Sequence, residues 1–343
     1  MGTYTNGASK GIYTFRFNSS TGKAGSPSLA GESSNPAFLA VHPNVRFVYT
    51  ANENPNGSVS AFSIDRAGGA LTLLNSVSSH GSGPCHIAVD RAGKWLFAAN
   101  YNSGSVAVLP IGSDGKLGEA SSFVQHSGSS VNRERQEGPH AHEVVVSADN
   151  RFVLVPDLGA DRVVIYRFDA AKGTLTPSTP AFVKAALGAG PRHLAFSPDG
   201  KFVYVVNELA ASINVFRFDN GNMNVLQTIS TLPADFAGVK SGAEIAVHPN
   251  GKFLYASNRG HDSIAIFRID PRKGTLSAAG HVPTQGKTPR NFVIDPAGKY
   301  LLAANQDSGT VVVFRIDPKT GGLTANGTTI QIPAPVSLVF ALP

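Results

Sequence analysis

One stretch of the sequence decides the fold: Pro36-Ala37-Phe38-Leu39-Ala40-Val41-His42-Pro43, followed by Phe47-Val48-Tyr49-Thr50-Ala51-Asn52. It has the pattern of an apolar strand, a turn and a second apolar strand that ends in asparagine. The pattern recurs with its first residue and its asparagine again 16 positions apart, in Pro84 with Asn100, Pro191 with Asn207, Gly242 with Asn258 and Pro289 with Asn305. A weaker copy runs from Pro139 to Asp157. The chain is therefore an array of repeats.

A further copy of the repeat is split between the two ends of the chain. Residues 335–340 match the first strand alone, and residues 3–17 match the second and third strands. A fourth strand follows a glycine-containing turn, as in residues 69–74. The asparagine or aspartate markers fall at positions 6, 52, 100, 157, 207, 258 and 305, so that seven units of about 50 residues cover the sequence.

Four antiparallel strands repeated at this period are typical of a propeller blade. A solenoid would need atypical capping repeats, whereas the two ends of this chain complement each other. We therefore predict an all-β, seven-bladed β-propeller with four antiparallel strands per blade, closed into a ring by pairing of N- and C-terminal strands. It is predicted to be a single domain over residues 1–343, with the seventh blade shared between residues 1–30 and 331–343.

The composition agrees with many short strands and excludes several classes of protein. The 343 residues include 36 Gly and 22 Pro and only 15% are charged, which disfavours a helical protein. With 42% hydrophobic residues the chain has enough apolar material for a core. Its one cysteine, Cys85, excludes an internal disulfide framework and a zinc cluster built from cysteines. The net charge of +6 comes from scattered Lys and Arg, which does not indicate a nucleic-acid surface, and no stretch predicts a membrane span.

Two positions of the repeat are predicted to meet at one mouth of the central channel. In an antiparallel hairpin the start of the first strand lies beside the end of the second, and the ring brings all such pairs to one end. The first column, 15 residues before each marker, contains Ala37, Cys85, His142, Arg192, Ala243 and Arg290, with Val336 from the split blade. The second column, immediately after each marker, contains Gly7, Glu53, Tyr101, Leu158, Glu208, Arg259 and Gln306.

The ionisable members of these columns are concentrated in blades three to six. Arg192, Arg259 and Arg290 at one mouth predict an anion site, because each guanidinium can hold a carboxylate or phosphate through paired hydrogen bonds. Glu208 is expected to balance charge or to act on substrate. Histidine exchanges protons near neutral pH, so His142 is the candidate general base. Salt bridges on an exposed rim are the structural alternative, but the alignment of these residues in two columns favours a site.

The neighbouring residues are interpreted as accessory or structural. His140 would share a strand face with His142, and we interpret it as a substrate donor or a structural residue. The two histidines lack the further ligands that a metal needs, so no metal site is expected. Cys85 is interpreted as a buried or rim residue and not as a nucleophile. The recurring asparagines are predicted to stabilise turns through hydrogen bonds to the backbone.

Several strings resemble the bacterial lactonase family of seven-bladed propellers, and together they span essentially the whole chain. The most specific are Gly138-Pro139-His140-Ala141-His142 and Ser257-Asn258-Arg259-Gly260-His261-Asp262-Ser263. Others are Gly2-Thr3-Tyr4-Thr5 with Gly11-Ile12-Tyr13, Val155-Pro156-Asp157-Leu158-Gly159, Gly190-Pro191-Arg192-His193, Val206-Asn207-Glu208 and Thr288-Pro289-Arg290-Asn291-Phe292.

The resemblance implies hydrolysis of an anionic sugar lactone, 6-phospho-D-glucono-1,5-lactone, to 6-phosphogluconate without a metal or an organic cofactor. The residues His142, Glu208 and Arg192 are then expected to be catalytic, and Arg259, Arg290, His140 and Gln306 to bind substrate. A carboxy-muconate lactonizing cycloisomerase that uses the same His and Glu is one alternative. A non-catalytic propeller that binds a protein or an anionic ligand is another.

The expected partner is a small anionic lactone, with neither nucleic acid nor membrane involved. The oligomeric state is not readable, because a closed ring has no obvious exposed sheet edge. We expect a cytoplasmic location, with the periplasm or secretion as the alternative if a leader peptide preceded the first residue.

Overall fold

The computed structural model describes residues 1–341, and strands are the only regular secondary structure in that range. These residues form seven four-stranded antiparallel sheets and one short two-stranded hairpin. The chain divides into two compact units. Unit 1 comprises Met1–Thr14, Ser28–Gly190 and the residues from Val339 onward, and unit 2 comprises Phe15–Pro27 and Pro191–Leu338. No helix within residues 1–341 is long and apolar enough to cross a membrane.

Unit 1 contains three blades whose four strands follow one another in the chain. Its first strands are β1 (Gly2–Thr3), β2 (Gly11–Thr14) and β5 (Ser28–Glu32). The three blades are β6 (Pro36–Val41), β7 (Phe47–Asn52), β8 (Ser58–Ile64) and β9 (Leu71–Ser78); β10 (Pro84–Val89), β11 (Trp95–Asn100), β12 (Ser105–Pro110) and β13 (Ser122–Gln125); and β14 (Val145–Val146), β15 (Phe152–Asp157), β16 (Arg162–Asp169) and β17 (Thr174–Lys184).

Unit 2 also contains three consecutive blades, together with the hairpin of β3 (Phe17–Asn18) and β4 (Lys23–Ala24). The blades are β18 (Pro191–Phe196), β19 (Phe202–Asn207), β20 (Ser212–Asp219) and β21 (Asn222–Ser230); β22 (Gly242–Val247), β23 (Phe253–Asn258), β24 (Ser263–Ile269) and β25 (Leu276–Pro283); and β26 (Pro289–Ile294), β27 (Tyr300–Asn305), β28 (Thr310–Ile316) and β29 (Leu323–Gln331). The last strand is β30 (Pro335–Ser337).

The remaining sheet has the strand order β30-β1-β2-β5 and so takes its first strand from the other end of the chain. Four antiparallel strands are therefore present in each of the seven sheets formed by residues 1–341. The prediction of seven four-stranded blades, one of them shared between the two ends of the chain, is confirmed. That the whole chain is a single domain stays a prediction.

The pairing register explains the 16-residue spacing of the repeat. The first residue of the first strand lies opposite the marker asparagine at the end of the second strand in each of these pairs: Pro36 with Asn52, Pro84 with Asn100, Pro191 with Asn207, Gly242 with Asn258 and Pro289 with Asn305. The first column follows one member of this pair and the second column follows the other. The two columns therefore meet at one end of the blade.

The second and third strands of each blade form the core. All six residues of β7 and of β19 are buried, whereas β9 and β21 at the outer edge alternate between exposed and partly buried positions. Strands that are apolar on both faces pack between neighbouring sheets, and strands with one polar face lie against water. The candidate site residues lie at the ends of the buried inner strands, which hold them in defined positions.

Three marker asparagines stabilise the blade ends through backbone bonds as predicted, whereas Asn207 donates to the side chains of Ser212 and Asn214. Asn100 Nδ2 donates to Ser79 O at 3.0 Å, Asn258 Nδ2 to Thr231 O at 2.7 Å, and Asn305 Nδ2 to Thr284 O at 3.2 Å. Each bond ties the end of a second strand to the end of a fourth strand. Since the donors are buried amides with backbone partners, the marker role is structural.

Candidate active site

The first column coincides with a β-bulge in the first strands of the blades. Pro191 pairs with Asn207, but the register shifts before His193, so Arg192 is the extra residue. The same shift follows Pro36, Pro84, Gly242 and Pro289. A bulged residue is left out of the ladder and its side chain is re-aimed, which is frequent beside active sites. Cys85 and Arg290 occupy equivalent extra positions, so the column has a backbone cause.

Unit 2 brings Arg192, Glu208 and Arg259 together in one ion-pair cluster. Arg192 Nε donates to Glu208 Oε2 at 3.0 Å, and Arg259 Nη2 lies 2.9 Å from the same oxygen. Arg192 Nη1 also donates to Ala243 O at 2.8 Å, and Arg259 Nη2 to Gly242 O at 3.3 Å. Glu208 therefore fixes the direction of two guanidinium groups, one from each column.

The cluster remains positively charged. Arg192 is only 1% exposed, and burial, followed by the positive charges of Arg259 and Arg290, lowers its pKa to about 10. It stays a cation near neutral pH because that value lies well above 7. Arg290 is half-buried and contributes to the same electrostatic field. Two carboxylates, Glu208 and Glu244, act on Arg192 in the opposite direction. The three arginines outnumber these two carboxylates, so the cluster favours an anionic ligand.

One donor of this cluster is left without a partner. The buried Nε of Arg259 makes no hydrogen bond to any of residues 1–341. A buried N–H group without an acceptor is costly, and in native proteins such a group usually has a ligand or water as its partner. Arg259 therefore offers a hydrogen bond to a bound molecule.

Unit 1 places both candidate histidines against Tyr101, a member of the second column. The His140 and Tyr101 rings are stacked with centroids 4.4 Å apart and an interplanar angle of 12°. The His142 ring meets the edge of Tyr101 at 5.2 Å and 76°. Both histidines are buried. They do not lie in a named strand, because the first strand of this blade is shortened to Val145–Val146. Backbone bonds of the segment to β15 nevertheless keep it extended.

The hydrogen bonds of His140 make it a donor. Its Nδ1 lies 2.9 Å from Tyr101 O, a carbonyl that can only accept. Its Nε2 lies 3.2 Å from a carboxylate oxygen of Glu137. With both ring nitrogens facing acceptors, His140 is poorly arranged to take up a proton from water. This supports its interpretation as a donor or structural residue.

His142 has a different environment. Its Nδ1 lies 3.8 Å from Cys85 Sγ, and the Cys85 thiol donates to His142 O at 3.1 Å. A thiol is a weak hydrogen-bond partner for an imidazole. The buried Cys85 has its proton directed at a carbonyl, which agrees with the interpretation that it is not a nucleophile.

Gln306 is not joined to the arginines by the hydrogen bonds of the described residues. It is half-buried, and its Nε2 donates to the neighbouring Asp307 Oδ1 at 3.2 Å. Its membership of the second column is the remaining argument for its role in substrate binding. Glu53, in the same column but in unit 1, accepts a hydrogen bond from the Tyr4 hydroxyl.

Sequence reasoning did not identify the buried polar chain that follows the first column in unit 2. His193 Nδ1 lies 3.0 Å from Glu244 Oε1, Asn291 Nδ2 donates to Glu244 Oε2, and Leu338 N donates to Asn291 Oδ1 at 2.9 Å. Burial, then the charges of Arg192 and Arg290, lowers the pKa of His193 well below its usual value of 6.5 despite the nearby Glu244. His193 is therefore a neutral imidazole that donates to a carboxylate. The sequence signal that could have identified His193 is its position 14 residues before the marker Asn207, directly after the first column.

A second feature missed in the sequence is the buried pair of His126 and Asp157. Asp157 replaces the marker asparagine, and its Oδ2 lies 2.7 Å from His126 Nδ1. Its Oδ1 accepts from His140 N at 2.8 Å and from Ala160 N at 3.0 Å. These bonds lower the pKa of Asp157 despite its burial. The pair therefore positions the backbone of the histidine segment. Within residues 1–341, no three His, Cys, Asp or Glu side chains are grouped to hold a metal ion.

Comparisons with known proteins agree along almost the whole chain. Residues 1–340 match a family model described as "Lactonase, 7-bladed beta-propeller". A 6-phosphogluconolactonase of Bacillus subtilis is 38% identical over 297 residues, covering 85% of this chain and 83% of that protein. A 6-phosphogluconolactonase of Formosa agariphila is 36% identical, covering 83% and 82%. The solved structure of a periplasmic gluconolactonase of Pseudomonas aeruginosa is similar with a TM-score of 0.93 and 35% identity, covering 97% of this chain and 96% of that one.

Proposed function

Because this chain belongs to the lactonase family of seven-bladed β-propellers, we propose that it hydrolyses 6-phospho-D-glucono-1,5-lactone to 6-phosphogluconate. The observation that carries the proposal is the buried cluster of Arg192, Glu208 and Arg259, which keeps a net positive charge and leaves the Nε donor of Arg259 without a partner. Such a cluster suits an anionic substrate whose carbonyl becomes an oxyanion during the reaction.

In the proposed mechanism His142 removes a proton from the water molecule that attacks the lactone carbonyl. Base assistance of this kind typically contributes 10² to 10⁴ in rate. His142 shares the first column with Arg192, which supports its action on the same substrate. Both ring nitrogens of His140 face acceptors, which makes His140 the weaker candidate and favours His142 as the base.

Arg192 is proposed to stabilise the oxyanion of the tetrahedral intermediate. Its guanidinium is held by Glu208 and by Ala243 O, so no reorganisation is needed when negative charge develops. Arg259 and Arg290 attract and orient the anionic lactone. Gln306 is proposed to donate a hydrogen bond to a substrate oxygen, and His140 Nε2 is proposed to do so when a substrate oxygen replaces the exposed carboxylate of Glu137. No step requires a metal or an organic cofactor.

Glu208 is proposed to act through the arginines. A carboxylate oxygen engaged by two guanidinium groups is poorly placed to protonate a leaving alkoxide. Its task is to hold the two cations together and to orient them, which removing either partner of a buried pair would undo. The alkoxide is then expected to take its proton from the protonated His142 or from solvent.

The direct test is hydrolysis of freshly generated 6-phospho-D-glucono-1,5-lactone, with acid release followed against the spontaneous rate. Acceleration at catalytic enzyme concentration is expected. A carboxylated muconate is run in parallel, because turnover of it alone would indicate the cycloisomerase. Binding of either compound without turnover would indicate a non-catalytic propeller.

We propose a cytoplasmic location, since phosphorylated sugar lactones arise by oxidation of sugar phosphates inside cells. The Pseudomonas aeruginosa gluconolactonase described as periplasmic is similar over 97% of this chain, so the periplasm is the alternative. Fractionation of the producing cells with an antibody to the protein distinguishes the two.

A further inference from the structure

The last residue before the third strand of a blade, here called the pre-strand position, has a left-handed backbone in several blades. Its φ is +61° in Gly104 and +62° in Gly309, values that glycine adopts without steric cost. The φ values of Asp161, Ala211 and Asp262 are +48°, +48° and +51°, which are unfavourable for a residue with a Cβ. Because glycine serves the turn equally well, the two aspartate side chains need a separate explanation.

Asp262 uses its carboxylate to hold the loop that leads into the next blade. Its Oδ1 accepts from Thr288 N at 2.8 Å, and Thr288 lies two residues before Arg290. Its Oδ2 lies 3.2 Å from Nζ of the exposed Lys287. The bond to the Thr288 backbone fixes the entry of the chain into the first strand, whereas an ion pair with an exposed lysine contributes little.

The same bond precedes the other arginine of the first column. Asp161 Oδ1 accepts from Gly190 N at 2.7 Å, and Gly190 lies two residues before Arg192 in the chain. The other blades combine a different pre-strand residue with a first-column residue that is not arginine: Lys10 with Ala37, Gly57 with Cys85, Gly104 with His142, Ala211 with Ala243 and Gly309 with Val336. Aspartate at the pre-strand position therefore coincides with arginine in the first column that follows.

Thr288, the residue that Asp262 holds, has an unfavourable backbone of its own. Its φ of +59° is rare for a β-branched residue, whereas Gly190 has +65° at the equivalent position. Thr288 O accepts from Gln306 N at 2.9 Å, and its hydroxyl donates to Asp307. Such a conformation persists where several bonds enforce it, and outliers of this kind are concentrated at functional sites.

Arg290 depends on these bonds because it is the bulged residue of β26. Pro289 pairs with Asn305 and the register shifts before Asn291, so Arg290 is left out of the ladder. Its position is therefore set by the residues on either side of it, and Thr288 is the last residue before the paired proline.

We infer that Asp262 is a positioning residue of the active site, which places Arg290 for substrate binding through its bond to Thr288. Residues 259–262 join β23 to β24, so Asp262 connects the turn that begins with Arg259 to the segment that contains Arg290. This inference rests on the proposed function and deepens it, because it names the group that orients two substrate-binding arginines. Asp262 acts through Thr288 and does not touch the substrate.

Ala211 provides a control with a matched backbone. Ala211 O accepts from the N–H and the hydroxyl of Thr231, and Asp262 O accepts from the same two groups of Thr284. The two positions therefore have the same backbone role, and they differ in the carboxylate.

The test uses five substitutions. Asp262→Gly removes the carboxylate and suits the left-handed φ, and Asp262→Ala is a second variant that does not depend on the tolerance for glycine. Asp262→Asn keeps the acceptor oxygen without the charge. Ala211→Gly makes the backbone change alone, and Lys287→Ala removes the ion pair alone.

The values of kcat and KM for freshly generated 6-phospho-D-glucono-1,5-lactone are measured for each variant. Asp262→Gly and Asp262→Ala are expected to raise KM about 10-fold, the effect of weakening one charge-assisted hydrogen bond to the substrate, with kcat within about 3-fold. Asp262→Asn, Ala211→Gly and Lys287→Ala should keep both values within about 3-fold. A purely structural role would not divide the effect in this way between KM and kcat.

Three results would each overturn the inference: an unchanged KM when the carboxylate is removed, an equal rise in Ala211→Gly, or an equal rise in Asp262→Asn. Calorimetric binding of 6-phosphogluconate gives a measurement without turnover, and Asp262→Gly should weaken it about 10-fold while Ala211→Gly leaves it within about 3-fold. If the unmodified protein binds this acid but does not hydrolyse the lactone, the proposed function fails and calorimetry alone decides the inference. An unmodified protein that neither binds nor hydrolyses overturns both.

Discussion

Arg192 and Glu208 form a buried ion pair in which Arg192 Nε donates to Glu208 Oε2 at 3.0 Å. Arg259 shares the same oxygen. The carboxylate thus compensates two buried or half-buried cations at the ends of two strands. Breaking such a pair from one side costs more than forming it gains, because the remaining charge stays buried.

Glu208→Gln is expected to reduce both stability and activity. The amide keeps the shape of the side chain but cannot compensate Arg192 and Arg259, and breaking one side of a buried pair costs about 3 to 5 kcal/mol. Urea denaturation measures the loss of stability, and kcat/KM on the phosphorylated lactone should fall by more than about 10-fold.

Glu53→Gln is the matched control for this substitution. Glu53 occupies the same column in unit 1, where it accepts a hydrogen bond from the Tyr4 hydroxyl, and it lies outside the charged blades three to six. Its replacement should leave kcat/KM within about 3-fold. If Glu53→Gln lost as much activity as Glu208→Gln, membership of the column would have no meaning for function.

The two histidines are expected to respond differently to substitution. His142→Ala should lower kcat by about 10² to 10⁴, as expected for removal of a general base. His140→Ala should mainly raise KM, because both ring nitrogens of His140 face acceptors. Steady-state kinetics of the two variants checks this, and the opposite assignment of effects would identify His140 as the base.

The fold was readable from the sequence because its signals are local and repeated. The 16-residue spacing between Pro191 and Asn207 predicts a hairpin register, and the structure pairs these two residues. The bulge that isolates Arg192 was not readable, since a bulge depends on how the ladder continues beyond the paired position. The column therefore predicted the position of Arg192 but did not reveal the bulge that isolates its side chain.

The buried polar partners could not be inferred for a similar reason. Nothing in the local sequence around His126 indicates that it meets Asp157, because 31 positions separate them and the contact depends on the packing of two blades. Asp157 itself was visible as the departure from asparagine at the marker. Asp262 lies outside both columns, so only the structure connects it to Thr288.

Acid should destabilise the protein through His193. Its folded-state pKa lies well below 6.5, so below pH 6.5 the unfolded chain binds a proton that the folded chain does not. Stability should therefore fall as the pH drops from 6.5 towards the folded-state pKa, with a contribution of about 1.4 kcal/mol per pH unit. The lowered pKa of Asp157 adds a loss only below about pH 4.

His193→Asn isolates this contribution. The amide can still donate to Glu244 but does not titrate, so its stability should fall less steeply with acid than that of the unmodified protein. Denaturant titrations at several values between pH 4 and 7 give the two slopes. Identical slopes would show that the pKa of His193 does not differ between the folded and unfolded chains, which would contradict the prediction.

The pair of His126 and Asp157 predicts a rescue by a second substitution. Asp157→Asn alone replaces the carboxylate bonded to buried His126 and should cost about 1.5 to 3 kcal/mol, the contribution of a hydrogen bond to a charged group. Adding His126→Ser removes the buried imidazole and leaves the backbone carbonyl of residue 126 to accept from the new amide, as Ser79 O accepts from Asn100, so the double variant should recover most of the stability. Thermal unfolding of both variants checks this, and a double variant no more stable than the single one would contradict the compensation.

The most direct test of the whole account is the rate of acid release from freshly generated 6-phospho-D-glucono-1,5-lactone, measured by pH-stat for the unmodified protein, His142→Ala and Arg192→Ala. The account predicts strong acceleration over the spontaneous rate by the unmodified protein and a loss of about 10² to 10⁴ in kcat for His142→Ala. Arg192→Ala should lose about 10² to 10³ as an oxyanion donor. A rate equal to spontaneous hydrolysis with the unmodified protein, or unchanged rates in both variants, would contradict it.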